Sequence, residues 1–150
     1  MKQVHIQTAR FDSGAQLAPL AVLGGGAVAS FTGIARDDRD DRGNVTAIEL
    51  EHYPAMTQAA LEALVDEAGR RWELLGCILI HRVGRIETGE EIVLVGAASL
   101  HRAASLSAVS FLIDRLKTDV PFWKKEYRSN GSAVWVNAKD SDDAAAGKWG

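Results

Sequence analysis

Two continuous apolar runs, residues 76–83 and 91–97, occupy the middle of the chain and are joined through Gly84 and Gly89. Short apolar runs bounded by glycine are typical of strands, whereas helices show a longer periodic pattern. Any fold of this chain must therefore accommodate two successive strands with little polar surface between them.

Three longer segments have the features of helices. Residues 54–72 start with Pro54 at a first helical position and repeat apolar side chains at the 3.6-residue period. Residues 13–23 end at three successive glycines, and residues 101–117 carry an apolar stripe of their own. Further strands are predicted at residues 4–7, 27–32, 45–52, 122–128 and 133–136, of which the last two form a hairpin around Asn130-Gly131.

Strands and helices mix along the chain without a regular βαβ alternation, so the predicted class is α+β with a mixed or antiparallel sheet. The length of 150 residues favours one domain covering residues 1–150. Within it, residues 37–43 are expected to form a charged, mobile loop, and residues 141–150 a loose tail.

The composition argues against several classes of function. Seventeen Lys and Arg residues against twenty Asp and Glu residues give a net charge of −3, which is unlike a general nucleic-acid binder. No apolar run approaches the ~18 residues of a membrane span, and the N-terminus lacks the apolar core of a signal peptide. The expected location is the cytoplasm, without a membrane partner.

The single cysteine, Cys77, cannot form a disulfide within the chain, which fits a reducing compartment. Its apolar neighbours favour a small buried hydrophobic residue over a nucleophile. The three glycines at 24–26 follow a predicted helix instead of a strand, so they are not a dinucleotide fingerprint. The four histidines show no metal-ligand spacing, so zinc is not expected, and no cofactor is predicted. No serine lies in a nucleophile elbow, which argues against a simple hydrolase.

Three lysines, Lys117, Lys124 and Lys125, surround a proline and an aromatic pair where the third helix gives way to a strand. Ammonium groups beside aromatic rings indicate a partly desolvated anion site, and a desolvated lysine can act as acid, base or nucleophile. The alternative is that Lys117 only favours the helix C-terminus and that the other two lysines are solvated strand residues.

A second basic pair, His101 and Arg102, is placed where the third helix begins. Cations there oppose the helix dipole, while the free backbone N–H groups favour an anion, so the pair suits phosphate binding. The alternative is that Arg102 points into solvent and that His101 caps nothing.

The two basic clusters lie too far apart to share one small pocket within a single chain. His101 and Lys117 are sixteen residues apart, which is about 24 Å at 1.5 Å per helical residue. Either there are two sites, or a two-fold dimer brings the start of one helix to the end of the other. The hypothesis favoured here is a composite site across a homodimer.

Six motifs together make the chain resemble the MoaE family, the large, catalytic subunits of molybdopterin synthase. No single motif is decisive, but they occur in family order and at family spacing over about residues 27 to 140. They are Phe31-Thr32-Gly33 with Arg36, the segments 50–57, 80–84 and 89–93, His101-Arg102, and the segment 116–118 with 121–126.

The resemblance implies an α/β hammerhead fold and a synthase that converts cyclic pyranopterin monophosphate into molybdopterin by installing a dithiolene. It implies that the sulfur comes from the thiocarboxylated Gly-Gly C-terminus of a small ubiquitin-like subunit. Such a partner explains how a sulfurtransferase dispenses with a catalytic cysteine. The implied assembly is a heterotetramer, a central homodimer with one small subunit at each end.

The resemblance also assigns roles to residues. The catalytic lysines are Lys117 and Lys124, and the residues that bind phosphate or pterin are Arg36, His101 and Arg102. Phe122 and Trp123 are expected to line or support the pocket. Lys125 is a further candidate for substrate binding; the alternatives for Lys125 and Glu126 are an ion pair behind the site or a position on the surface.

The sequence departs from the family pattern in two places. Residues 37–43 are more acidic than expected beside an anion site, and Lys139 stands where the family often has an arginine. A lysine keeps the charge but not the bidentate fork, so Lys139 is only a further candidate for substrate binding. The alternative function is a non-catalytic receptor for a ubiquitin-like tail or a phosphorylated ligand.

Overall fold

The computed structural model of the protein describes residues 1–136, 147 and 149, which form two sheets and three helices. The elements are β1 (Lys2–Gln7), α1 (Ser13–Ala21), β2 (Ala27–Ile34), β3 (Arg39–Asp40), β4 (Gly43–His52), α2 (Pro54–Arg71), β5 (Gly76–Arg82), β6 (Gly84–Glu87), β7 (Glu91–Ser99), α3 (Arg102–Asp119), β8 (Phe122–Arg128) and β9 (Ala133–Val136). The predicted α+β class is confirmed. Among the described residues, no helix has the length and apolarity that crossing a membrane requires.

The first sheet has the strand order β1-β5-β7-β2, with β1 parallel to β5 and the other pairs antiparallel. Its two central strands are the continuous apolar runs of the sequence, and every residue of β5 is buried. Leu20 of α1 packs against Ile78 and Ile80 on one face, whereas Leu79 faces α2 and α3 on the other. Cover on both faces explains why these strands lack polar alternation.

The second sheet has the order β3-β4-β8-β9, with β6 also paired to β4. β4 and β8 run antiparallel and place Leu50 opposite Lys124 and His52 opposite Phe122. β3 and β6 were not predicted. β3 consists of two residues inside the acidic segment 37–43, and β6 consists of four residues after Gly84, so neither is long enough to show a pattern.

The three glycines at 24–26 fix the position of the start of α3. Gly24 has a φ of +90° and lies just beyond α1. A Cβ at Gly25 would lie 2.4 Å from the carbonyl oxygen of Ser99, and one at Gly26 would lie 2.7 Å from that of Leu100. The chain can therefore pass beside residues 99 and 100, directly before His101, only because these positions have no side chains.

Candidate active site

A cavity of about 650 Å³ opens between the two sheets, bounded by β2, β4, β5, β7, α3 and β8. Its apolar wall includes Leu116, Val93 and Phe122. The titratable and charged side chains that line it are Arg36, Asp38, His81, Lys117, Lys124 and Glu126. The cavity thus combines an apolar floor with a concentration of charge, as binding sites for small anionic molecules do.

Lys117 reaches the cavity from the last turn of α3, where a cation is favoured by the helix dipole. The chain then reverses at Val120 and Pro121, and the Phe122 N–H donates to the Val120 carbonyl over 3.1 Å. This turn carries the chain directly into β8. The helix end and the following strand therefore present Lys117 and Lys124 to the same cavity.

Side-chain alternation along β8 separates the two neighbouring lysines. Lys124 lines the cavity, with its Nζ 3.8 Å from Oε2 of Glu126. Lys125 lies on the opposite face of the strand, where its Nζ is 5.5 Å from the centre of the Tyr127 ring and 5.7 Å from that of Trp135. Of the two lysines, only Lys124 is therefore placed together with Lys117.

Arg36 lies at the rim of the cavity, just beyond the end of β2, and its side chain is 64% exposed. Its guanidinium is 3.4 Å from a carboxylate oxygen of Asp38, which belongs to the acidic segment 37–43. An exposed pair of this kind is weak, because water screens it and both side chains lose freedom in forming it. Arg36 is thus able to exchange Asp38 for an incoming anion.

Arg128 is a buried arginine behind the cavity wall that the sequence did not single out. It donates to Glu126 over 2.8 Å and to the carbonyl oxygens of Asp38 and Gly43 over 3.2 and 3.1 Å, and it lies 3.3 Å from Asp40. Part of the acidity of segment 37–43 therefore serves to bind Arg128. The available signal was spacing, since Arg128 and Glu126 are two apart on one strand and so share a face.

His81 is a second residue of the site that sequence analysis missed. Its ring is buried, lines the cavity and stacks on Phe122 with 4.0 Å between ring centres and an interplanar angle of 16°. Nδ1 lies 2.7 Å from the carbonyl oxygen of Arg82. Burial lowers the pKa of His81 to about 4, with the charges of Lys117 and His52 acting in the same direction. His81 is therefore neutral near pH 7.

His101 and Arg102 do not join Lys117 within one chain. Both are exposed at the start of α3, and Arg102 lines a different groove, of about 550 Å³, between β2 and α3. The hydroxyl of Ser99, not the His101 side chain, accepts the Ser105 N–H over 3.1 Å at the helix start. Both basic side chains are thus available for an external anion. Phe31 contributes to both concavities and marks the boundary between them.

Cys77 is buried in β5, and burial raises the pKa of its thiol to about 12, so it holds its proton and is no nucleophile. Among residues 1–136, 147 and 149, no group of three His, Cys, Asp or Glu side chains is arranged to hold a metal ion. Lys139 and most of the tail 141–150 lie outside the described residues.

Comparison with known proteins gives a consistent result. The family model described as MoaE protein matches residues 6–119. A Pseudomonas aeruginosa protein named molybdopterin synthase catalytic subunit is 48% identical over 148 residues, covering 97% of each chain. Two solved structures are similar: the MoaE protein of Burkholderia ambifaria (TM-score 0.82, 43% identity, 99% of this chain and 98% of that one) and molybdopterin synthase of Staphylococcus aureus (TM-score 0.81, 29% identity, 91% and 98%).

The extent of these matches confirms the resemblance drawn from the six motifs. The family model covers most of the chain, and the relatives align over nearly their whole length. The chain therefore belongs to the MoaE family.

Proposed function

We propose that this protein is the catalytic subunit of a molybdopterin synthase. It transfers sulfur from a thiocarboxylated carrier subunit to cyclic pyranopterin monophosphate and so builds the dithiolene of molybdopterin. The observation that carries the proposal is the convergence of Lys117 and Lys124 on one cavity with Arg36 at its rim, in a chain whose single thiol is buried and protonated.

Each side chain has a role that its chemistry supports. Arg36 holds the substrate phosphate by charge-assisted hydrogen bonds. Lys117 and Lys124 position the carrier's thiocarboxylate, transfer protons and stabilise the negative charge that develops during sulfur transfer. Because lysine is a compact, flexible donor whose pKa responds to desolvation, it suits these roles better than arginine.

The sulfur is supplied by a small ubiquitin-like partner, whose Gly-Gly terminus enters the cavity. This partner is required because Cys77 cannot carry sulfur from its buried position. The reaction belongs in the cytoplasm, which fits a chain whose only cysteine has no partner within the sequence.

A second copy of the chain completes the phosphate site. His101 and Arg102 are exposed at one end of α3 and Lys117 at the other. In a two-fold dimer, the basic pair of one protomer can face the lysine cavity of its partner. The groove between β2 and α3 supports this arrangement, since the exposed apolar residues Val28 and Leu106 line it and favour burial against a partner.

Turnover with purified components tests the proposal. The protein is incubated with a thiocarboxylated carrier and cyclic pyranopterin monophosphate, and dithiolene product is measured. We expect product from the wild type and at least a 100-fold loss in Lys117→Ala and Lys124→Ala, a range typical for the removal of one such group. Lys2→Ala, which removes an exposed ion pair with Asp66, is the control and should keep full activity.

Arginine substitutions distinguish a catalyst from a non-catalytic receptor for a ubiquitin-like tail or a phosphorylated ligand. A receptor needs only positive charge, so Lys117→Arg and Lys124→Arg would retain binding and function in that case. A catalyst that needs the reach and pKa of lysine loses activity with both substitutions. Near-normal turnover in the alanine variants would remove both lysines from the mechanism.

A further inference from the structure

The orientation of the His81 ring fixes which of its nitrogens carries hydrogen. Nδ1 lies 2.7 Å from the backbone carbonyl oxygen of Arg82, and a carbonyl oxygen can only accept, so Nδ1 must carry the hydrogen. In a neutral imidazole the other nitrogen is then a bare acceptor. Stacking on Phe122 fixes the plane of the ring, and the contact of Nδ1 with the Arg82 carbonyl fixes its orientation within that plane. Nε2 is left without a hydrogen-bond partner among the described residues.

The surroundings of the ring keep it neutral. Lys117 from α3 and His52 from β4 act against protonation, the imidazole is buried in β5, and Phe122 from β8 offers no charge. Burial is the largest of these effects, and it holds the pKa at about 4. At physiological pH the group facing the cavity therefore accepts hydrogen bonds without adding charge.

Apart from the Thr32 hydroxyl, His81 supplies the only neutral side-chain acceptor among the described residues that line the cavity. The cations Arg36, Lys117 and Lys124 offer donors only. Of the two lining carboxylates, Asp38 pairs with Arg36, and Glu126 pairs with both Lys124 and Arg128. Around His81 the wall is apolar, formed by Leu116, Val93 and Phe122. This combination suits a heterocycle that has apolar faces and an N–H group on its edge.

We infer that His81 binds the heterocycle of the substrate, with Nε2 accepting a hydrogen bond from an N–H group of the pterin while the cations hold the phosphate. The inference rests on the proposed function and adds to it the residue that recognises the ring. A pterin presents ring and amino N–H groups beside its apolar faces, so it matches both the acceptor and the wall. The amide N–H groups of the carrier's tail are the competing donors, and the test separates the two.

Steady-state kinetics with each substrate varied in turn tests the inference. His81→Phe keeps a flat ring but removes the acceptor, and His81→Gln restores one. For His81→Phe we expect KM for the pterin phosphate, and its directly measured Kd, to rise about ten-fold, because a buried donor of the ligand is left without a partner. KM for the carrier should stay within about two-fold, and His81→Gln should recover most of the pterin affinity.

His5→Phe is the matched control, because His5 is an exposed histidine of β1 that does not line the cavity. Its KM values should equal those of the wild type. Unchanged pterin affinity in His81→Phe, or a rise confined to KM for the carrier, overturns the inference while leaving the proposed function intact. A wild-type complex that makes no dithiolene overturns both.

A measurement on the unsubstituted protein guards against variants that fail to fold. Nitrogen-15 NMR of the histidine side chains distinguishes a protonated from a bare ring nitrogen. We expect His81 to show hydrogen on Nδ1 only at pH 7, and its Nε2 resonance to move when the pterin phosphate is added to the wild-type protein. A protonated Nε2, or a resonance that does not respond to saturating ligand, contradicts the inference.

Discussion

Two titratable side chains of β5 show how one physical effect produces opposite changes in pKa. Burial disfavours the charged form of any group. For Cys77 the charged form is the deprotonated thiolate, so its pKa rises to about 12; for His81 it is the protonated ring, so its pKa falls to about 4. Both residues are therefore neutral over the physiological range. β5 places the His81 ring at the cavity and the Cys77 sulfur in the hydrophobic core.

The His81 shift predicts a specific loss of stability in mild acid. Its pKa is about 4 in the folded protein and 6.5 in the unfolded chain, so the unfolded state binds more protons between these pH values. The free energy of unfolding should therefore fall as the pH drops from 6.5 to 4. The contribution of His81 is on the order of 3 kcal/mol, at about 1.4 kcal/mol per pKa unit.

Urea denaturation at a series of pH values measures this loss, and His81→Phe isolates it from the titration of the carboxylates. The stability of the variant should decline less than that of the wild type across the same window. Curves that run parallel for the two proteins would show that His81 titrates in the same way in the folded and unfolded states.

The segment 37–43, which leads into β4, is held by long-range contacts that the local sequence pattern does not indicate. Arg128 connects β8 to the segment that runs through β3 into β4, by contacts with the Asp40 carboxylate and the backbone carbonyls of Asp38 and Gly43. It also pairs with Glu126 of its own strand. Residues 37–43 are polar and charged, which is why the sequence predicts a mobile loop. The contacts of Arg128 with residues 38, 40 and 43 attach this segment to a buried side chain behind the cavity wall.

We predict that Arg128→Met destabilises the protein by about 3 kcal/mol, because it leaves buried carboxylate oxygens of Glu126 without their arginine partner. Amides of residues 38–45 should exchange hydrogen faster, as mass spectrometry can measure. Arg85→Met is the control. Arg85 is half exposed in its pair with Glu87, so water screens the pair and its loss should change the stability little. Equal losses in the two variants would contradict the anchoring role.

The close approach of Gly25 to the Ser99 carbonyl leads to a prediction about stability. Gly25→Ala places a Cβ against the Ser99 carbonyl, which belongs to the backbone and cannot rotate away, so we expect a loss of about 1–3 kcal/mol. Gly69→Ala is the matched control, since a Cβ there meets nothing within 4 Å and alanine favours the helix by roughly 0.5–1 kcal/mol. Urea denaturation of the two variants should give changes of opposite sign.

The sequence predicted helices and strands well where an apolar pattern extends over several residues. It could not predict which strands are hydrogen-bonded to each other. The three helices and seven of the nine strands follow from apolar patterns, with bounds that shift by a few residues. β3 and β6 escaped prediction because they exist only through hydrogen bonds to β4. In the same way, the clustering of lysines around Pro121 indicated an anion site, but only the strand geometry separates Lys124 from Lys125.

The site residues that sequence analysis missed share a physical cause. His81 follows four apolar residues of β5 and precedes Arg82, and its role depends on which face of the strand meets the cavity. Arg128 lies at the end of β8. Glu126 is its neighbour on the same strand, but its other partners come from residues about ninety positions earlier. Such long-range contacts leave no local signature, whereas the spacing of Lys117 and Lys124 across a helix end does.

At the scale of the whole molecule, the two concavities on either side of Phe31 predict sharing of the site between protomers. One holds Lys117 and Lys124, and the other is lined by Arg102. A Lys117→Ala chain and a chain with both His101→Ala and Arg102→Ala should each be inactive alone. Mixed dimers rebuild one of their two sites, so random mixing should restore about a quarter of wild-type activity.

Turnover assays after refolding the two inactive chains together measure this recovery. The oligomeric state is followed by light scattering on the same samples. A control mixture of two Lys117→Ala preparations must remain inactive. If the two complementing chains exchange fully and still give no product, the basic pair and the lysines do not serve a common site.

The burial of Cys77 in β5 makes the protein resistant to oxidants and alkylating agents. An enzyme that handles sulfur on its own cysteine must expose a nucleophile, and the same nucleophile is open to peroxide, alkylating agents and trapped mixed disulfides. Here the only sulfhydryl in the sequence is protonated and out of reach. Oxidants therefore react with the thiocarboxylate of the carrier subunit, which can be replaced after each turnover. The catalytic subunit stays intact and can bind another carrier.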